Sequence, residues 1–298
     1  MRRRDVLALP WLWPLMARAD ATAPVPVVAS FTILADLVRE VGGPVVEVHT
    51  LVGPDSDAHV YQPTPRDARA VARASLVVFN GLGFEGWMDR LLLAGNYNGP
   101  LVEASHGIVP RRIDGVADPH AWQDPRLVER YVANIESALT TIVPASAAAI
   151  SASTALYRQA LRALDGELRA AFDTLPPDRR RVITSHDAFG YLGEAYGLEF
   201  LPLQGWSTES EPRAADLARL VRLARERGAA AAFVENISDP RLIRALSSDT
   251  GLAFGGSLYS DALATPGRPA DTYLGMMRHN AATLLAALRP LETQESPA

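Results

Sequence analysis

The sequence contains no cysteine and no lysine. Without cysteine there is no thiolate metal site, no structural disulfide and no cysteine to carry a lipid. Any metal must therefore be held by nitrogen and oxygen atoms. All 29 basic residues are arginines, scattered rather than clustered, and the formal net charge is -5. A mildly acidic chain without a basic patch argues against nucleic acid or an anionic membrane surface as the main partner. Catalytic signatures are missing too: there is no HExxH, no G-x-S-x-G elbow and no phosphate-cradling P-loop.

What is present is ordinary globular material. The chain has 298 residues, of which 48% are hydrophobic and 21% charged, enough for two lobes with real cores. Its first residues read as a targeting segment. Arg2, Arg3 and Arg4 precede an apolar stretch from Val6 to Met16, followed by Ala17, Ala19 and Ala21. The stretch falls short of the roughly 20 residues that span a bilayer, and Pro10 and Pro14 interrupt it. Residues 1–21 are expected to be a signal peptide, cleaved near Ala19–Ala21, and the double arginine resembles a twin-arginine export signal. The expected location is the periplasm, without a lipid anchor.

Beyond the signal, β-rich runs alternate with helical patterns. Val25–Phe31, Val45–Val52, Leu76–Gly81 and Leu101–Ser105 read as strands, with helical character at Ile33–Val41 and Gly86–Leu93. Arg126–Thr141 is helical, and a long helix follows from about Ala147 to Phe172, with an apolar stripe through Leu156, Ala160, Leu164 and Leu168. After Pro176 and Pro177 the alternation resumes with strands at Arg181–Ser185, Leu198–Leu203, Ala230–Val234 and Leu252–Leu258. Helices are expected between them at Phe189–Tyr196, Arg213–Arg227 and Pro240–Ser248, and a last amphipathic one at Asp271–Leu288. The expected fold is α/β: two lobes (22–145 and 175–298), each a mostly parallel four-stranded sheet flanked by helices, joined by one long helix within 146–174. The repeat is one of architecture; the two halves share no evident sequence repeat.

Ligands of open α/β sheets bind beyond the carboxyl ends of the strands, and this sorts the six histidines. His59 lies in "GPDSDAHVYQPTP" after the second strand, a stretch that Gly53, Pro54, Pro63 and Pro65 make stiff and non-helical. His120 lies in "DPHAWQDP", with Trp122 available to shield it. His186 follows the strand "RVITS", and Asp261 follows the last strand in "SLYSDAL". Two histidines from one lobe, with a histidine and an aspartate from the other, make an N₃O set suited to a borderline divalent ion. The other histidines read as bland: His49 inside a strand on the face of Glu47, His106 at the start of a loop, and His279 on a solvated helix face.

The motifs around His59, His120, His186 and Asp261 resemble those of the zinc- and manganese-binding solute-binding proteins of bacterial ABC importers. "NGLGFEGWMDRLL" at Asn80–Leu92 and "FVENISDP" at Phe233–Pro240 resemble that family as well. The resemblance covers nearly the whole mature chain. It implies two α/β lobes joined by a long rigid helix, and one metal held by His59, His120, His186 and Asp261. It also implies a membrane permease as partner, with a metal-loading chaperone as a further candidate, and a monomer. Two departures bear on the ion. Many zinc members carry a long histidine-rich loop before the second ligand, whereas "RRIDGVADPH" is short. Many manganese members have Glu where this chain has His186. Imidazole there favours Zn2+, with Mn2+ or Fe2+ as the alternative. A zinc hydrolase is the competing reading, with Glu209 and Glu211 of "STESEP" as candidate bases, but four protein ligands leave no open position for water. An adhesin or structural metalloprotein is the other, separable by whether metal uptake depends on a permease.

Overall fold

The computed structural model describes residues 23–210 and 213–289. The expected signal peptide and Glu211 lie outside the described residues. The first half builds a parallel sheet from β1 (Val25–Phe31), β2 (Val46–Val52), β3 (Leu76–Phe79) and β4 (Leu101–Glu103), in the order β2-β1-β3-β4. Around it lie α1 (Thr32–Gly42), α2 (Pro65–Arg73), α3 (Met88–Ala94) and α4 (Pro125–Ile142). A small hairpin, β5 (Arg112–Ile113) with β6 (Val116–Ala117), precedes α4. The long α5 (Ala147–Phe172) leads into the second half. There β7 (Arg181–Thr184), β8 (Glu199–Pro202), β9 (Ala231–Glu235) and β10 (Ala253–Leu258) form a second parallel sheet, flanked by α6 (Gly190–Tyr196), α7 (Ala214–Arg227), α8 (Pro240–Thr250) and α9 (Tyr273–Leu288).

The second sheet runs β10-β9-β7-β8. Counted from its own first strand, that is the same order as in the first sheet. Each sheet therefore changes winding direction between its first and third strands, and a crevice opens there at the carboxyl ends.

The apolar residues explain why the halves stay together. Core side chains from β1, α1 and α4 run without a break into those of α5, α6 and α9. The 26 residues of α5 span about 39 Å at 1.5 Å per residue, and the helix packs on α1 and α4 of one half and on α6 and α9 of the other. Its buried face is Ile150, Thr154, Tyr157, Leu161, Leu164, Leu168 and Phe172. That corrects the expected stripe: Leu156 is 69% exposed, about 100° round the helix from Tyr157. A second correction concerns Pro65, which does not prolong a non-helical segment but starts α2 at its first position, where the missing N–H costs nothing. Thr64 caps that helix in a reciprocal box with Asp67.

Polar bonds between the halves add to the apolar contact. The Tyr273 N–H donates to Asp36 of α1 (2.8 Å), the Leu263 N–H to the Thr32 hydroxyl (2.8 Å), and the Trp122 indole N–H to the Ser260 carbonyl (2.9 Å).

At the crevice of the first sheet lies the buried carboxyl of Glu85. It accepts from the Ser30 hydroxyl (2.6 Å), the Asn80 N–H (2.7 Å) and the Gly81 N–H (3.2 Å). The chain reaches this arrangement through three successive left-handed residues, Gly81, Leu82 and Gly83. Burial raises the Glu85 pKa to about 7, against the lowering effect of those donors. A folded-state pKa above the unfolded one contributes stability that is complete below about pH 4.5 and is lost as pH rises through about 7. Glu85→Gln stays neutral throughout. In metal-free protein its stability relative to wild type should therefore improve between about pH 5 and pH 8, by at most about 3 kcal/mol. Urea unfolding of both proteins at the two pH values measures this. A difference independent of pH would contradict the assignment.

Candidate metal centre

The four residues singled out by their place after strands meet between the two sheets. His59 follows β2, His120 sits between the hairpin and α4, His186 follows β7, and Asp261 follows β10. All four are buried, and one ligand atom from each lies within 4.8 Å of the others. The Asp261 Oδ2 is 3.3 Å from His59 Nε2 and 3.2 Å from His186 Nε2, and its Oδ1 is 3.7 Å from His120 Nε2. The two Nε2 atoms of His59 and His120 are 3.4 Å apart. Ligands about 2.0–2.1 Å from a tetrahedral ion stand about 3.3–3.4 Å from one another. Three of the four separations lie close to that edge, and the fourth, from His120 to Asp261, is longer.

Satisfied polar groups would not look like this. Both oxygens of Asp261 and the Nε2 of His186 are buried without a hydrogen-bond partner. Buried polar atoms are paired in the great majority of cases, so a convergent set of orphaned acceptors fits a cation among them. The donor set, three imidazoles and a carboxylate, suits zinc or its neighbours.

Carboxylates behind the histidines fix the rings. The Nδ1 of His120 is 2.8 Å from Asp118 Oδ1, which also accepts from the His120 backbone N–H at 3.0 Å. The Nδ1 of His186 lies 2.5 Å from Glu235 Oε2, close but poorly aligned as a hydrogen bond. The His186 backbone N–H donates to Glu235 Oε1 at 2.8 Å. Glu235 ends β9, beside β7, at the crevice of the second sheet. A carboxylate at Nδ1 holds the proton there and leaves Nε2 free to ligate. Phe84 packs edge-on against His59 with ring centroids 4.6 Å apart, and Trp122 against His120 at 5.2 Å.

These neighbours set the proton affinities. Burial works against the His186 imidazolium, yet the charges of Glu235 and Asp261 together outweigh it and hold its pKa well above the ordinary value. Burial likewise favours protonated Asp261, but His186 and then His120 outweigh it and drive its pKa well down. His59 goes the other way: burial lowers its pKa, against the attraction of Asp261.

Asp118, Glu235 and Phe84 escaped the sequence reading. The only signals were the spacing of "DPH" and the glutamate inside "FVENISDP". Of the other histidines, His106 is exposed and His49 half-buried in β2, and neither joins the cluster. His279 is not on a freely solvated face: it is half-buried, its Nε2 is 3.3 Å from the Ser257 carbonyl, and its ring meets Tyr259 edge-on. Glu209 is exposed and lines a cavity of about 320 Å³ at the mouth beside His59, Gln62 and Arg90. His59 is thus the member of the cluster nearest solvent.

Known proteins resemble this chain over most of its length. Residues 27–287 match the model of the family described as zinc-uptake complex component A, periplasmic. The chain is 33% identical over 271 residues to the zinc-binding protein TroA of Treponema pallidum, covering 88% of each. It is 32% identical over 264 residues to the manganese-binding lipoprotein MntA of Halalkalibacterium halodurans, covering 88% of each. To the iron-binding protein YfeA of Yersinia pestis it is 30% identical over 271 residues, covering 89% of this chain and 87% of the relative. The solved structure of periplasmic TroA superposes with a TM-score of 0.85 at 32% identity, covering 90% of this chain and 99% of that one. Three relatives thus carry three metals in their names. The word lipoprotein stands against the expectation of a receptor without a lipid anchor, which rests on the cysteine-free sequence alone.

The His186 shift has a sign that can be checked without metal. A histidine whose folded pKa is raised keeps its proton as pH rises past the ordinary value of about 6.5, and its contribution to stability is lost only at the higher folded value. In metal-free protein at about pH 7.5, nitrogen NMR should show His186 doubly protonated while His59 is neutral. A neutral His186 at that pH would contradict the pairing with Glu235 and Asp261.

Proposed function

The chain belongs to the family of periplasmic zinc-uptake complex component A proteins, and from that premise we propose that it captures one Zn2+ between His59, His120, His186 and Asp261 and delivers it to the membrane permease of an ABC importer. The observation that carries this reading is the convergence of three imidazole nitrogens on a buried, unpartnered carboxylate, all four ligand atoms within 4.8 Å of one another. Its place of action is the periplasm. Residues 22–145 and 175–298 act as two lobes on the helix within 146–174, a division supported by the matching strand orders and by α5 packing on both. All four ligands come from one chain, which supports a monomer as the working unit. No feature among the described residues supports a metal-loading chaperone as partner.

Zinc is preferred over manganese and iron on ligand chemistry. Three imidazoles and one carboxylate suit zinc, whereas further carboxylates would suit manganese. Affinity alone does not decide the physiological ion, since zinc outcompetes manganese at almost any nitrogen-containing site. The relatives named for manganese and for iron make Mn2+ and Fe2+ the alternatives. A binding role rather than catalysis is supported by four protein ligands, which complete a tetrahedral shell and leave no position for a reacting water.

Titration of zinc into the purified chain should give one equivalent bound. His59→Ala, His120→Ala and His186→Ala should each weaken binding by orders of magnitude, while His106→Ala and His279→Ala should leave it unchanged. Equal losses in both groups would refute the ligand set. Affinity should also fall with acid, beginning above pH 6.5 where His186 already takes up its proton, and the fall should be steeper than one titrating group permits, because protons compete at several imidazoles. His186→Glu should narrow the preference for zinc over manganese. Growth of a deletion strain under separate zinc and manganese starvation then identifies the ion: a defect confined to manganese starvation would overturn zinc and leave the receptor role standing.

A further inference from the structure

Behind His120 stands a residue with no part in the ligand cluster. Arg111, just before the hairpin β5–β6, reaches back to Asp118: its Nη1 is 2.5 Å from the Asp118 Oδ2, the oxygen not used by His120. Its Nε donates to Glu194 of α6 in the second half at 2.6 Å. The Arg111 backbone N–H donates to the Tyr191 hydroxyl (3.0 Å), which donates in turn to the Asp118 carbonyl (2.9 Å). The Asp118 N–H closes the loop on the Arg111 carbonyl at 2.9 Å. Space for the guanidinium is provided by Gly190, where a Cβ would overlap Arg111 Nη1. The neighbouring Arg112 does something else, donating to the Gly115 carbonyl within the hairpin turn.

We propose that Arg111 is a positioning residue for the metal site: it fixes the Asp118 carboxylate that orients the His120 ring. The proposal rests on the metal-receptor reading for its consequence in affinity, but its geometric core concerns the metal-free protein as well. Asp118 is fully buried and has one oxygen on His120 and the other on Arg111, so without Arg111 the second oxygen is left buried without its charged partner and the carboxylate is held only from the His120 side. Outer partners of this kind typically change metal affinity about 10–100-fold. Glu194 is the outer end of the chain of contacts and is mostly exposed. Its loss leaves the Arg111–Asp118 pair in place.

Two measurements on the full-length protein test this. In metal-free protein, wild type should show a slowly exchanging imidazole N–H resonance from His120 Nδ1, and Arg111→Gln should broaden or remove it. For binding, zinc affinity measured against a chromophoric chelator should fall about 10–100-fold in Arg111→Gln, and the visible spectrum of bound Co2+ should change. Arg111→Lys, which restores charge at one carboxylate only, should fall between. Glu194→Gln should keep the wild-type spectrum and affinity. Asp118→Asn should reproduce the loss, and combining it with Arg111→Gln should add little, as for residues acting through one another. Wild-type affinity, Co2+ spectrum and His120 resonance in a folded Arg111→Gln would overturn the proposal. If Arg111→Gln does not fold, Arg111→Lys decides by the same three readouts. Failure of the wild-type protein to bind zinc would instead sink the receptor reading, and the His120 resonance would then decide the positioning role alone.

Discussion

A carboxylate buried with no hydrogen-bond donor on either oxygen is untenable by itself, and Asp261 is such a carboxylate. Taking an ion of that size out of water costs several kcal/mol even after relaxation, so something positive must face it. Three imidazole edges surround it, and its charge, with that of Glu235, raises the proton affinity of His186. Under the proposed function, a divalent ion would take the place of that proton and complete the shell of all four residues at once. Capture and release would then be two states of one small, buried cage, with the rest of the chain holding its walls at the right separation.

The fold does this by bringing two similar crevices face to face. Each sheet changes winding direction between its first and third strands, and each crevice carries a buried glutamate. Glu85 organises the loop that presents Phe84 to His59, and Glu235 holds the backbone and ring of His186. Across the gap, α5 packs on both halves, and because the core is continuous a wide separation would expose apolar surface to water. Bonds such as Tyr273 to Asp36 and Trp122 to Ser260 span the same boundary. These features favour small adjustments around the cage over a wide opening. His59, at the solvent edge, is the ligand through which such an adjustment would act first.

Much of this was legible because it depends on local pattern. The strands are apolar, β-branched runs, and their bounds differ from the reading by a residue or two. His59, His186 and Asp261 stood out because each follows a strand of a sheet, where α/β proteins bind, and His120 stood out by its motif "DPHAWQDP" with Trp122 beside it. What was missed depends on partners distant in sequence or on fine helical phase. The stripe on α5 was misplaced because the helix is rich in Ala and Leu on several faces, and only its neighbours reveal that Tyr157 and Leu161 point inward rather than Leu156. The hairpin at Arg112–Ala117 carried its signal in Asp114–Gly115, two left-handed positions suited to a tight turn. Asp118 and Glu235 looked like ordinary surface acids until the fold placed them at the Nδ1 atoms of His120 and His186.

The central claim is that one zinc ion sits among His59, His120, His186 and Asp261 in the protein as the cell makes it. Crystals of protein isolated from its native compartment, measured on either side of the zinc and manganese absorption edges, test it most directly. The account predicts a single anomalous peak that appears at the zinc edge, within bonding distance of three Nε2 atoms and an Asp261 oxygen. A peak at the manganese edge alone, or zinc bound anywhere else with these four residues left bare, would contradict it.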